Sequence, residues 1–104
     1  MIKIIEKGRF IMEIKKGVNK FYIGDTEENP FALVILSDIE QDVIKIEHTY
    51  VYEQLKGQGA GKELIKTVVD FAVEKNKKLI PVCSFAQKEF DKNKEYERVL
   101  YRGI

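Results

Sequence analysis

The sequence predicts an α+β domain. It would hold a mixed, mostly antiparallel sheet of about five strands, one long helix after the fourth strand and a C-terminal helix. Three observations predict it. Short apolar runs broken by brief polar turns fill the first half, and parallel neighbours would need longer crossovers. The apolar period changes to that of a helix from Gly61 onward. The chain has 104 residues, enough for one domain (residues 1–104) and one modest core.

The elements follow in order. Residues 10–15 (FIMEIK) roughly alternate, and Lys16-Gly17-Val18-Asn19 reads as a turn. Phe21-Tyr22-Ile23 is aromatic and β-branched and ends at Gly24-Asp25. Residues 31–36 and 43–52 are two further strands, while residues 2–6 either extend the first strand or form a separate piece. Within residues 43–52, period two puts Ile44, Ile46, His48 and Tyr50 on one face. Val43, Lys45, Glu47, Thr49 and Val51 then share the other, which reads as partly solvated, so one side of the sheet lacks a covering helix.

The helix from Gly61 is amphipathic. Leu64, Ile65, Val68, Phe71 and Ala72 share one face; Lys62, Glu63, Lys66, Asp70, Glu74 and Lys75 fill the other. It should stop near Asn76. Residues 79–83 (LIPVC) read as a buried strand, with Pro81 implying an edge or splayed position. Residues 86–96 read as a last helix, amphipathic through Phe85, Phe90 and Tyr96. Phe21, Tyr22, Phe31 and Phe71 read as core, and Lys75, Lys77 and Lys78 as a solvated helix end.

Composition excludes several functions. Lys+Arg 18 against Asp+Glu 17 leaves a net charge of +1, with no global field to recruit nucleic acid or an anionic membrane. No apolar run approaches the roughly 20 residues of a membrane helix. The opening MIKIIEKGRF lacks the apolar stretch and cleavage site of a signal peptide. One cysteine, Cys83, and one histidine, His48, exclude a disulfide framework and leave little for a metal site. The expectation is a cytoplasmic, metal-free protein with nothing that demands more than a monomer.

The stretch Lys56-Gly57-Gln58-Gly59-Ala60-Gly61-Lys62 joins a strand to the amphipathic helix. Glycines at alternate positions let backbone approach a ligand closely. The N–H groups of the first helical turn and the helix dipole make an anion site, and Lys56 and Lys62 add charge at its two ends. A diphosphate suits it, although the glycines can equally serve a tight strand-to-helix turn. A P-loop is excluded, because Glu63 stands where its Ser or Thr should be. The dinucleotide fingerprint G-x-G-x-x-G also fails, and antiparallel strands are the wrong setting for it.

This loop resembles the GCN5-related N-acetyltransferase (GNAT) superfamily, whose motif is Q/R-x-x-G-x-G/A, with Lys56 here where Arg or Gln is usual. His48-Thr49-x-Val51 and Pro81-x-Cys83-Ser84-Phe85 are similar to its very short subfamily, which lacks the helices between the first two strands. Only a turn separates FIMEIK from FYI, as that likeness requires. The resemblance covers residues 10–96.

The resemblance implies a minimal GNAT fold, with a splay between the fourth and fifth strands where acetyl-CoA lies. The amides of Gln58, Gly59, Ala60, Gly61 and Lys62, beside Lys56 and Gly57, would hold its pyrophosphate. The backbone of Thr49, Tyr50 and Val51 would pair with its pantetheine arm, and the acetyl group would point toward Cys83. Acetyl transfer to an amine needs a base. Glu47 and His48 are the candidates, and His48 is preferred because imidazole exchanges protons near neutral pH; alternatively it is a hydrogen-bonded packing residue. Cys83 is either a small buried hydrophobe or a thiol that accepts the acetyl group, helped by the helix after it. Tyr96 is either the acid that protonates the departing thiolate or core packing. The implied function is acetyl-CoA-dependent transfer to an unidentified amine. The alternatives are a non-catalytic acetyl-CoA-binding module or a transient acyl carrier at Cys83.

Overall fold

The computed structural model describes residues 2–7 and 10–103; Met1, Gly8, Arg9 and Ile104 lie outside them. Six strands form one sheet in chain order: β1 (Ile2–Lys7), β2 (Phe10–Gly17), β3 (Lys20–Ile23), β4 (Ala32–Glu40), β5 (Val43–Val51) and β6 (Lys78–Pro81). The strand count is therefore six, because residues 2–7 form their own antiparallel partner to β2. All neighbours are antiparallel except β5 and β6, which α1 (Ala60–Lys75) links as a parallel pair. Pro81 sits on β6, an edge strand, where a missing N–H is tolerated.

Helix α1 lies across one face of the sheet. Leu64, Ile65 and Val68, spaced at one and three residues, are fully buried and meet Ile14, Phe21, Val34 and Ile46 in the core. Truncating Leu64 to Ala would cost about 2–5 kcal/mol, the range for a buried leucine. The helix ends where expected: Asn76 adopts a left-handed conformation (φ 57°), and its N–H caps the carbonyls of Ala72 and Val73.

The predicted last helix is split. Helix α2 spans Ser84–Lys92, and a 3-10 segment runs over Lys94–Val99 after Asn93 leaves helical geometry (φ −117°, ψ 90°). Asn93 turns its side-chain amide back to the Glu89 carbonyl at 2.8 Å, the kind of local bond with which asparagine competes against helix. Phe90 and Tyr96 remain buried on either side of the break, edge to face at 5.4 Å.

Among the described residues no helix covers the other face of the sheet, and an uncovered side was expected from the sequence. Its residues depart from the predicted alternation in β5. Ile35 pairs with His48 and the next residue, Leu36, pairs with Ile46, so Glu47 is an unopposed bulge residue. The bulge flips the parity. Ile44 and Ile46 face the core, but beyond it Thr49 and Val51 turn to the helix side. His48 and Tyr50 turn to the open face, where Tyr50, Tyr52 and His48 are exposed and stack in series (5.8 and 6.4 Å between centroids). Tyr22, expected in the core, lies only partly buried beside them, across from Leu33.

Candidate active site

Strands β5 and β6 pair only from Val43↔Lys78 to Ile46↔Pro81. The N–H groups of Val82 and Cys83 then both donate to the Ile46 carbonyl, at 3.0 and 3.2 Å. That double bond turns the chain away from β5, whose residues 47–51 continue without a β6 partner. The sheet is thus split at one end, and half of β5 presents a bare backbone edge.

The N-terminus of α1 opens at the same place. Its cap residue, Gly59, has φ 78° and supplies no side-chain cap, and Gly57 has φ 79°. Both conformations favour glycine, since a Cβ in the left-handed region costs roughly 1–2 kcal/mol. A helix without a side-chain cap leaves the N–H groups of its first turn open to a ligand. The Gly59 carbonyl accepts from the Glu63 N–H, at 3.1 Å. Lys56 and Lys62 are exposed at this turn, and Lys56 is only loosely associated with Glu53, at 3.9 Å.

Bare helix end and split sheet share one groove of about 430 Å³. Thr49 and Val51 line it from β5, Lys56, Gly57, Gly59, Ala60, Gly61 and Lys62 from the turn, and Leu55, Phe85 and Glu89 complete it. The groove offers N–H donors at the helix end and a strand edge along its other side. The structure thus brings together most of the predicted ligand-binding residues. The Tyr50 side chain points to the open face, so only its backbone is available to the groove. Gln58 does not line the groove, and its side-chain oxygen is buried without a partner.

The two predicted catalytic residues are placed differently. Cys83 caps α2: its Sγ accepts from the Ala86 N–H at 3.4 Å and lies 3.4 Å from Thr49 Oγ1. It is half-buried just behind Thr49, where the split begins. His48 lies on the open face, stacked on Tyr50. Glu47, in the bulge between the two faces, accepts from Ser37 Oγ at 2.6 Å. Tyr96 is 6% exposed and packs edge to face on Phe90. Its burial, with help from Glu95 and Glu89, pushes its phenol above the ordinary value of 10.0.

Three groove residues escaped the sequence reading. The sequence puts Phe85 on the apolar face of the last helix; in the structure it is 36% exposed, covers Gly61 and lines the groove. Leu55 sits in a 3-10 turn (Glu53–Leu55) that no periodicity marks. Glu89 is three residues after Ala86 and one before Phe90, on the buried face of α2; that spacing is the signal that could have found it. Among the described residues no cluster of His, Cys, Asp or Glu could hold a metal ion, and no helix is long and apolar enough to cross a membrane.

Comparison with known proteins gives consistent findings. The family described as GCN5-related N-acetyl-transferase matches residues 20–99. The solution structure of a GCN5-like protein from Staphylococcus aureus superimposes with a TM-score of 0.73 at 46% identity, covering 86% of this chain and 88% of that one. A GNAT family acetyltransferase from Elizabethkingia anophelis, solved with acetyl-CoA bound, shares the fold: TM-score 0.51, 21% identity, 70% of this chain and 50% of that one. The human protein NATD1 is 29% identical over 62 residues. That match takes in 60% of this chain, which thus spans little more than half (55%) of that relative's length.

Proposed function

Because the chain belongs to the GCN5-related N-acetyltransferase family, we propose that it binds acetyl-CoA in the groove between α1 and the split sheet and transfers the acetyl group to an amine. The observation that carries this reading is the coincidence of an uncapped helix N-terminus with the unpaired edge of β5 in one groove.

The residues divide the work. The N–H groups at Gly59, Ala60, Gly61 and Lys62 would hold the pyrophosphate, with backbone dipoles contributing more than the exposed lysines. The unpaired edge at residues 47–51 would add the pantetheine arm as a short strand, and one of its N–H groups would polarise the thioester carbonyl. With the arm on that edge, the bulge at Glu47 would bring side chains of both sheet faces close to the thioester carbon. An amine arriving from the open face would meet His48 and Glu47 there, and His48 would take its proton, since the Glu47 carboxylate already accepts from Ser37.

A second reading, a transient acyl carrier, rests on one contact: Cys83 Sγ receives an N–H from the first turn of α2 and touches Thr49 on the groove wall. Attack by that sulfur on the thioester would form an acetyl-cysteine and release the CoA thiolate, and the amine would then displace the cysteine thiolate.

The test is release of free CoA from acetyl-CoA with a panel of amines, alongside thermal shift with acetyl-CoA, CoA and ATP. The transferase reading predicts amine-dependent release and a rise in melting temperature selective for the CoA compounds. A selective rise without release with any amine would leave a binding module, and no rise would end the acetyl-CoA reading. Intact mass after mixing with acetyl-CoA decides the carrier reading: an added acetyl group that Cys83→Ala abolishes supports it.

A further inference from the structure

Glu89 is a carboxylate in an unusual place. It is 4% exposed, yet it lines the groove beside Phe85 and Gly61. Its Oε1 is buried without a hydrogen-bond partner. Its Oε2 faces the Lys92 ammonium, 3.7 Å away on a side chain that is 71% exposed. A buried charged oxygen is costly unless something donates to it. Among the described residues none donates to Oε1, and Glu89 belongs to the groove's lining.

We propose that Glu89 is a ligand-binding residue that accepts an N–H from the neutral arm of the groove's occupant. This rests on the acetyl-CoA reading and deepens it. The occupant's phosphates are acceptors and anions, so Glu89 repels them. Its pantetheine amides are donors, so Glu89 attracts them. The groove then has two ends of opposite preference, with open helix amides for the diphosphate at the glycine turn and a carboxylate for the arm's N–H beyond Gly61. Together they fix which way the ligand lies and how far its anionic end enters. That role accounts for a glutamate on the buried face of a helix whose other buried residues are Ala86 and Phe90.

Calorimetric titration of the whole protein tests this with two ligands, acetyl-CoA and 3′-phosphoadenosine 5′-diphosphate, which keeps the diphosphate and lacks the arm. The readout is the ratio of the two affinities in the native protein, in Glu89→Leu and in Glu89→Gln. The expected result is a ratio about tenfold lower in Glu89→Leu, the value of one hydrogen bond to a charged group. Glu89→Gln keeps an acceptor oxygen and should fall between the two; it also serves if Glu89→Leu does not fold. A ratio unchanged in the folded variants overturns the role of Glu89 while leaving acetyl-CoA binding intact. If the native protein binds neither ligand, the acetyl-CoA reading fails first and the assignment of Glu89 goes with it.

Discussion

The tip of the Phe85 ring lies 2.8 Å from where a Cβ on Gly61 would sit. One residue thus trades its side chain so that α2 can close on the first turn of α1, and the ring becomes groove wall. Gly61→Ala should displace the ring into the groove. The clash should cost about 1 kcal/mol, at the mild end of overpacking because the ring edge can swing. In a Phe85→Ala background the same change should be neutral or stabilising, since alanine favours helix. Denaturant midpoints in a double-mutant cycle measure the coupling; strictly additive effects would contradict the contact.

Gly57 and Gly59 test the turn itself. Both have φ near 80°, and nothing lies within 4 Å of a Cβ on Gly57. Gly57→Ala should therefore pay backbone strain alone, roughly 1–2 kcal/mol. Gly57→Asn should lose clearly less, because asparagine tolerates the left-handed region. Urea denaturation of the two variants reads the order directly, and equal losses would mean the turn does not hold this conformation in solution.

Cys83 carries a helix cap as well as a thiol. Serine is a better N-cap than alanine by about 1 kcal/mol. Cys83→Ser should therefore be more stable than Cys83→Ala by that order, with the Thr49 contact retained. Finding the two variants equally stable would mean the Ala86 N–H does not rely on residue 83.

Tyr96 predicts a pH dependence. Its phenol is pushed above 10.0 by burial first, then by Glu95 and Glu89. The folded state therefore holds this proton more tightly than the unfolded chain. The corresponding stability is complete below the unfolded value near 10 and is lost as pH rises through the folded value. Urea midpoints should fall as pH rises above about 10 in the native protein, and Tyr96→Phe should fall less steeply. Parallel curves would show that this phenol carries no such linkage.

Much of this was legible in the sequence, for identifiable reasons. The end of α1 was readable because Asn76 halts a strongly periodic helix, and the edge position of β6 because proline donates no ladder bond. The bulge at Glu47 was not, since Lys-Ile-Glu-His-Thr contains no glycine or proline to announce an extra residue. Period two therefore put His48 and Tyr50 with Ile44 and Ile46, on the wrong face beyond the bulge. The break at Asn93 was also missed, because an asparagine in a polar run can sit in a helix or end one. In the groove, the glycine turn was visible from its spacing. Phe85 and Glu89 were not, because an aromatic reads as core and a glutamate as surface, and here each does the opposite.

The most direct measurement is an amide-resolved NMR titration of the isotope-labelled protein with acetyl-CoA. The largest shifts should fall on the N–H groups of Gly57, Gly59, Ala60, Gly61 and Lys62 and on residues 47–51 of β5, with β1 and β2 unmoved. A titration that leaves the glycine turn unshifted, or moves only the open-face tyrosines, would contradict the account.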